Sequence, residues 1–491
     1  MKKITLFLVG LLIATTSINA NNIQVNNVGI TGQNTTDHYS FVKFDLGWEN
    51  SWRLSVGPSN WDAAWVFVKY RVNNGPWNHA RINYVNGTND GHIVPGGVSI
   101  NTPSDFTGCL IYRSADGSGD VNWQNVQIRW NYGVNGVQDN DIVDVQVFAL
   151  EMVYVPQGSF YVGGTSGTEI GKFYQHPNTN TSYQITSEAA INVGATNGFL
   201  NYASMGDGLG PIPAAYPKGF NAFYCMKYEM SEDQWVSFFN TLTESQKLNR
   251  DITGIDGKNT DAVANGNSVA WSDGSNNATT TAPDRSIAYV NMGGWLAYMD
   301  WAGLRPLTEL EYEKACRGPV LPKPGEFAWG NANIFSIAPY TRSNLGTPSE
   351  IVTNMGVSTG NAAYSVTTGS AGTVRCGIFA ASAINKNREE TGGSYYGIME
   401  LSGSNYEPLV TVGRPRGRLF TGTHGNGIIS STGNSTTPNW PDFTTGEGGS
   451  FRGGGWFNAS NFLRVSDRND GASNIAGGSS RIGVRCGRTA Q

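Results

Sequence analysis

The sequence predicts an α+β protein in two parts: an all-β, sandwich-like domain over residues 21–151 and a mixed domain over residues 152–491. Before residue 151, apolar and polar residues alternate in short runs separated by Asn, Gly and Pro clusters. This pattern is typical of antiparallel strands joined by turns. After residue 151, capping sequences precede apolar residues spaced i, i+3, i+4 and i+7, which indicates amphipathic helices. A chain of 491 residues also exceeds the size of one ordinary domain.

Residues 1–20 have the three parts of a secretory signal peptide. Lys2 and Lys3 supply the positive end, residues 4–13 form an apolar core, and Ala20 provides a small residue before cleavage. The apolar core is too short to span a membrane. We therefore expect an exported protein, secreted or held at the cell surface, without a membrane span.

Composition narrows the class of partner. Only 14% of the residues are charged, whereas Gly contributes 63 residues and Trp 14, which favours a loop-rich extracellular β protein. The chain carries 38 acidic against 33 basic residues, a balance that argues against nucleic acid as a partner. The five cysteines have no metal-ligand spacing. Buried free thiols and disulfides both remain open, although an odd number leaves at least one cysteine unpaired within the chain.

The first predicted domain contains four alternating runs, at residues 41–48, 66–72, 126–130 and 143–148. They predict an antiparallel sandwich with one face in water. Four tryptophans near its turns have two interpretations, a sugar-stacking platform or, more commonly, core and rim packing: Trp52, Trp61, Trp65 and Trp77.

The second predicted domain opens with a strand pair that turns at residues 156–158. Helices are predicted after the capping boxes Ser231/Gln234 and Thr308/Glu311, and over residues 291–302. The low-complexity stretch 257–281 is expected to be a mobile surface insertion.

Seven segments of this part resemble, in order, the motifs of the sulfatase-modifying-factor family, also called the formylglycine-generating-enzyme family. They are MVYVPQGSFYVG (152–163), FYCMKYEM (223–230), RPLTELEYEKACRG (305–318), FAWGN (327–331), GIMELSGSNYE (397–407), FRGGGW (451–456) and RIGVRC (481–486). The resemblance implies a C-type-lectin-like fold for residues 152–491 and leaves residues 21–151 uncovered.

The resemblance also implies where catalysis would lie. The family's oxidases hold copper with two cysteines a few residues after the GGSW-like motif, but Asn458 and Leu463 stand near those positions here. An amide and an isobutyl group cannot replace the soft thiolates that Cu(I) needs, so copper is not expected. Iron-dependent relatives use histidines, and the five histidines here show no HxxxH spacing. A non-catalytic member is predicted, and the alternative is a divergent oxidase acting on a protein cysteine.

The stretch between Trp456 and Ser480 is rich in Asn, Ser, Gly and Asp, the adaptable chemistry of binding loops. Similar lectin-like scaffolds display the variable segments of diversity-generating retroelements, in which adenine-rich codons such as those of Asn are randomised. We therefore predict an extracellular ligand, such as a glycan, a peptide or a surface protein, while a plain turn-rich surface remains the alternative. Arg464 and Arg468 are expected to brace this face. The predicted ligand-binding residues are Trp456, Asn458, Ser460, Asn461, Phe462, Ser466, Asn469, Asp470, Ser473 and Asn474.

A calcium ion is the remaining expectation from the resemblance. Glu407 matches the glutamate of a calcium-associated family segment, and carbonyls at residues 402–405 would complete an oxygen shell. The alternative is a turn in which Glu407 pairs with an arginine such as Arg452.

Overall fold

The computed structural model describes residues 22–202, 204–272, 277–336, 339–365 and 372–491. The predicted signal peptide lies outside these ranges. Within them, no helix is long and apolar enough to cross a membrane.

Strands outnumber helices throughout the described residues. The strands are β1 (Gln24–Asn34), β2 (Tyr39–Arg53), β3 (Asp62–Val72), β4 (Asn78–His79), β5 (Val98–Asn101), β6 (Cys109–Arg113), β7 (Gly117–Trp130), β8 (Val143–Val155), β9 (Phe160–Val162), β10 (Phe173–Gln175), β11 (Tyr183–Ile185), β12 (Leu200–Tyr202), β13 (Phe223–Met226), β14 (Arg305–Pro306), β15 (Arg342–Ser343), β16 (Ile351–Val352), β17 (Glu407–Val410), β18 (Gly449–Arg452) and β19 (Cys486–Thr489). The helices are α1 (Glu232–Asn240), α2 (Glu244–Arg250), α3 (Met292–Trp301), α4 (Glu309–Arg317), α5 (Ile378–Ser382) and α6 (Pro415–Arg418), with 3-10 turns at Tyr132–Asn135 and Ser460–Leu463.

One eight-stranded antiparallel sheet joins the two halves of the chain, in the order β14-β19-β13-β8-β3-β6-β5, with β4 also paired to β3. Its central strand β8 pairs with β3 on one side, where Phe148 faces Phe67, and with β13 on the other, where Val153 faces Cys225. The domain boundary predicted at residue 151 therefore falls inside a strand. Strands from before and after residue 151 therefore belong to one sheet.

Strand β3 is buried on both faces. Val66 and Val68 pack toward a three-stranded sheet of β1, β2 and β7. Trp65 and Phe67 pack on the opposite side against helical residues such as Trp301. The water-facing side predicted for residues 66–72 is wrong because helices cover it.

Lys69 shows how complete that cover is. The side chain is buried, and its ammonium group donates to the carbonyl oxygens of Trp301 at 2.7 Å and Gly427 at 3.0 Å. Burial lowers the Lys69 pKa well below its ordinary value. By contrast, β2 alternates between buried and mostly half-buried residues, so the predicted period of two is confirmed.

The predicted helix starts are confirmed. Ser231 and Gln234 form a capping box at α1, and Thr308 and Glu311 form another at α4. Asn291 caps α3 by accepting from the Gly294 N–H at 2.8 Å. Each cap satisfies N–H groups that the first turn leaves without an intrahelical partner.

The stretch 257–281 lies only partly at the surface where the structure describes it. Val263 is exposed, but Asn267 and Trp271 are buried, and the Glu232 carboxylate accepts from the Ser268 N–H at 3.0 Å. Polar groups in this stretch form hydrogen bonds that hold its loops against α1. Residues 273–276, also part of that expectation, lie outside the described ranges.

Trp65 ties the first strands to the end of the chain. Its indole N–H donates to the Ala302 carbonyl at 2.8 Å, and the Arg488 guanidinium lies 4.1 Å from its ring centroid. Trp65 is therefore a packing residue and not part of a sugar platform. The Trp77 ring lies against the Arg71 guanidinium.

We predict that Trp65→Phe lowers the free energy of unfolding by about 2 kcal/mol, since it loses a buried hydrogen bond and ring volume. Denaturant unfolding followed by circular dichroism measures this change, and a single transition is expected because both halves share β8. Trp77→Phe is the matched control, with an expected change within about 0.5 kcal/mol. Two separate transitions, of which only the first shifts in Trp65→Phe, would contradict the shared-sheet account.

Candidate binding site

The C-terminal stretch, residues 449–488, has little regular structure and is held by buried ion pairs. Arg452 donates to Glu309 at 3.2 Å and to Glu313 at 2.6 Å, and both carboxylates belong to α4. Arg468 donates two hydrogen bonds to the Glu309 carboxylate, at 2.6 and 3.0 Å. These four side chains, here called the α4 charge network, are fully buried.

Most of the other hydrogen-bonding atoms of the network also have partners, with the Arg452 Nε as the exception within the described residues. Glu309 accepts from the Val412 N–H at 2.8 Å, and Arg468 donates to the Gly171 carbonyl at 2.7 Å. The Arg468 guanidinium lies 4.1 Å from the Phe173 ring centroid. The expected bracing role of Arg468 is confirmed. Arg464 makes a lighter contact, donating to the Thr168 hydroxyl at 2.9 Å.

A cavity of about 400 Å³ opens against this braced stretch. Tyr406 precedes β17 and Phe451 lies in β18, and their rings sit 6.2 Å apart, edge to face. The cavity is lined by Tyr406, Phe451, Asn458, Phe462, Asn469, Asp470, Ile475, Gly477, Gly478, Ser479, Arg481 and Ile482. The cavity is thus lined by aromatic rings together with amides, a carboxylate and a guanidinium.

The two charges of the cavity are held differently. The Asp470 carboxylate accepts from the Tyr406 hydroxyl at 2.9 Å and from the Ser473 hydroxyl at 3.3 Å, so its position is fixed. Arg481 forms no ion pair within the described residues, and its guanidinium lies 5.6 Å from the ring of Phe457. Phe457 is 56% exposed. A half-exposed cation beside an exposed ring can contact a ligand without first breaking a salt bridge.

Asn458 helps to shape the cavity. Its side-chain carbonyl accepts from the Gly455 N–H at 3.1 Å, and its backbone carbonyl accepts from the Ser365 N–H at 2.8 Å. The residue near the position where oxidase relatives place a copper thiolate is therefore a turn-forming amide.

The structure brings together four of the ten predicted ligand-binding residues, Asn458, Phe462, Asn469 and Asp470. Ser460, Asn461 and Ser473 are half-buried beside the cavity, and Asn474 is exposed. Sequence reasoning missed Tyr406, Phe451 and Arg481 because it assigned them to framework motifs.

Two predicted ligand-binding residues lie beneath the surface. Trp456 is 3% exposed, and its indole N–H donates to the Ser480 carbonyl at 2.7 Å. Ser466 is also 3% exposed, and its hydroxyl accepts from Arg317 at 3.0 Å. Both residues pack beneath the surface of the C-terminal stretch. Neither is available to a ligand, since their polar groups are hydrogen-bonded to internal partners.

The calcium ion expected at Glu407 stays a prediction. Arg485 donates to the Glu407 carboxylate at 2.8 Å, so a cation already lies on one side of it, and the partner is Arg485 instead of the expected Arg452. Burial raises the pKa of Glu407 well above its ordinary value. The Ser404 carbonyl accepts from the Trp456 N–H at 2.6 Å, whereas Glu407 Oε2 and the Asn405 side-chain oxygen are buried without a hydrogen-bond partner in the described residues. Only part of the expected oxygen shell is thus engaged with protein partners.

All five cysteines lie in the described ranges as buried free thiols: Cys109, Cys225, Cys316, Cys376 and Cys486. Burial raises the pKa of each thiol, to about 12 for Cys225. Since the thiolate is the reactive and metal-binding form, none of them has the environment of a reactive cysteine.

Comparison with known proteins identifies the family. The sulfatase-modifying factor enzyme 1-like domain matches residues 144–490, and the chain belongs to this family. A formylglycine-generating enzyme of Bos taurus is 28% identical over 130 residues, an alignment that covers 23% of this chain and 34% of the bovine enzyme. The matched region is thus about a third of that relative's length.

We predict that Glu309→Gln lowers the free energy of unfolding by about 3–5 kcal/mol, because it leaves Arg452 and Arg468 buried with too little negative charge. Chemical denaturation measures the loss, and hydrogen exchange should accelerate across residues 449–488. The control is Arg71→Gln, which breaks an exposed pair with Asp144 and should cost under about 1 kcal/mol. Similar losses of unfolding free energy in the two variants would contradict a structural role for the α4 charge network.

Proposed function

We propose that the chain is an exported, non-enzymatic binding protein, secreted or at the cell surface, which presents the cavity around Asn458 and Arg481 to a glycan, peptide or surface-protein ligand. The observation that carries the proposal is the convergence of Asn458, Phe462, Asn469 and Asp470 on one cavity. Aromatic rings, amides and one unpaired guanidinium are the groups that bind polar ligands with an apolar face.

The architecture supports display. The α4 charge network anchors the C-terminal stretch at Arg452 and Arg468, so exposed residues of the stretch can vary without removing a buried partner. We further infer that the sheets of residues 24–155 form a sandwich-like unit, because a shared apolar cluster lies between the three-stranded and eight-stranded sheets. A C-type-lectin-like fold for the following residues is part of the same proposal.

The competing function, a divergent oxidase of protein cysteines, has weaker support. An oxidase of the known kind needs a pair of accessible thiolates, and each thiol here is buried with a raised pKa. An amide stands near one expected thiolate position, and Leu463, near the other, is fully buried. Neither side chain can carry out thiol chemistry.

Binding is tested with the full chain on glycan and extracellular-protein arrays, followed by calorimetry on each hit. We expect a saturable ligand whose affinity falls about ten-fold in Arg481→Ala and in Asn469→Ala. Asn461→Ala, half-buried on the same stretch but outside the cavity lining, is the matched control and should bind as the parent does. Absence of any saturable ligand contradicts the proposal, as does conversion of a peptide cysteine to formylglycine by the copper-loaded chain.

Retroelement diversification is the finer part of the proposal. Its candidate positions are small and polar, and Ser460, Asn461, Ser473 and Asn474 retain exposed surface. We expect the coding DNA to lie near a second, near-identical copy of the segment that differs only at adenines. Sequencing the surrounding DNA decides the matter, and the lack of such a copy would rule out diversification while leaving ligand binding intact.

A further inference from the structure

A second cavity, of about 670 Å³, lies apart from the C-terminal face. Early residues such as Trp61 and Tyr112 supply one wall, and Tyr154, Asn221 and Tyr224 supply the other. It shares no lining residue with the cavity of the C-terminal stretch. The cavity therefore needs both halves of the chain.

Its floor is a row of aromatic rings across neighbouring strands. Tyr224 in β13 is paired with Tyr154 in β8, and their ring centroids are 5.3 Å apart. Trp61, which directly precedes β3, stacks 3.9 Å from Tyr154 and 5.5 Å from Tyr112 in β6. Stacked side by side, these rings form an aromatic surface that lines the cavity.

One donor on this floor is poorly satisfied. The buried Trp61 indole N–H interacts with the Tyr224 side chain but forms no hydrogen bond of ordinary geometry within the described residues. A buried donor with poor hydrogen-bond geometry is costly, and a ligand oxygen would reduce that cost. The Tyr112 hydroxyl, in contrast, already donates to the Asn101 side chain at 2.6 Å.

The rim is polar, and none of the lining side chains is charged. Amides from three separate segments surround the opening, namely Asn86, Gln157 and Asn221, each exposed and able to both donate and accept. The Arg53 guanidinium lies 5.0 Å from the Trp61 ring centroid but outside the lining, and it donates to the Arg113 carbonyl at 2.6 Å. A site for a phosphate, carboxylate or sulfate would place a free cation in the lining. Amides, tyrosine hydroxyls and an indole N–H instead match a neutral ligand rich in hydroxyl groups.

We propose that this cavity, here called the aromatic-row cavity, binds a neutral saccharide. Sugar hydroxyls would accept from Trp61 and exchange hydrogen bonds with the rim amides, while C–H surfaces contact the ring edges. The volume lies within the range of small-ligand sites. The proposal is independent of the C-terminal face, since neither cavity contributes to the other.

The experiment uses the full chain and saturation-transfer NMR with methyl glycosides of glucose, galactose, mannose and N-acetylglucosamine and their neutral trisaccharides. Calorimetry then measures affinity for every saccharide that gives transfer. We expect at least one neutral saccharide to bind, with affinity reduced about ten-fold by Tyr154→Phe and by Asn221→Ala. Asn221 is exposed, so its variant keeps the fold if the aromatic substitution does not.

Asn192→Ala, which removes an exposed amide outside both cavity linings, is the matched control and should leave saccharide affinity unchanged. Failure of every saccharide in the panel to bind overturns the proposal. So does binding that survives both Tyr154→Phe and Asn221→Ala, or that is lost in Arg481→Ala, which would assign the sugar to the C-terminal face.

Discussion

The structure depends on the pairing of α4 carboxylates with arginines that come more than a hundred residues later. Arg452 forms ion pairs with Glu309 and Glu313, and Arg468 forms a second ion pair with Glu309. Burying these charges is costly unless their hydrogen-bonding atoms find partners, and backbone groups such as the Val412 N–H and the Gly171 carbonyl supply several of them. Within the described residues, the Arg452 Nε is the one nitrogen of the network that lacks a partner. The segments RPLTELEYEKACRG and FRGGGW are therefore two halves of one buried structure, which neither can form alone.

This constraint explains how a stretch with little regular structure can present a defined face. Residues 453–485 contain one 3-10 turn and no strand, so the backbone cannot rely on ladder hydrogen bonds. Arginine side chains replace them, reaching from the loop to α4 and to carbonyl oxygens across the core. Side chains that face away from these anchors, among them Asn469 and Arg481, are left to meet solvent or a ligand.

Sequence reasoning succeeded where the cause is local. The capping boxes at Ser231 and Thr308 depend on residues three positions apart, and the motif order identified the family. It failed where burial depends on distant segments. Nothing near Lys69 indicates that Trp301 and Gly427 will cover it, and nothing near Trp456 indicates that Ser480 will accept its indole N–H. The cavity residues Tyr406 and Arg481 were hidden for the same reason, since their motifs also serve the framework.

Strand β8 gives the early residues a role that the family motifs alone do not suggest. Its first part pairs only with β3, whereas its last residues also pair with β13. A break at residue 151 would leave β13 paired with residues 152–155 but would expose the edge of those residues that pairs with β3. It would also remove Trp65 from beneath Arg488. The early strands are thus part of the core that positions β19, the strand that closes the C-terminal stretch. Because the aromatic-row cavity is built from side chains on both sides of that residue, its existence follows from the shared sheet, and a family domain folded without the early strands would lack it.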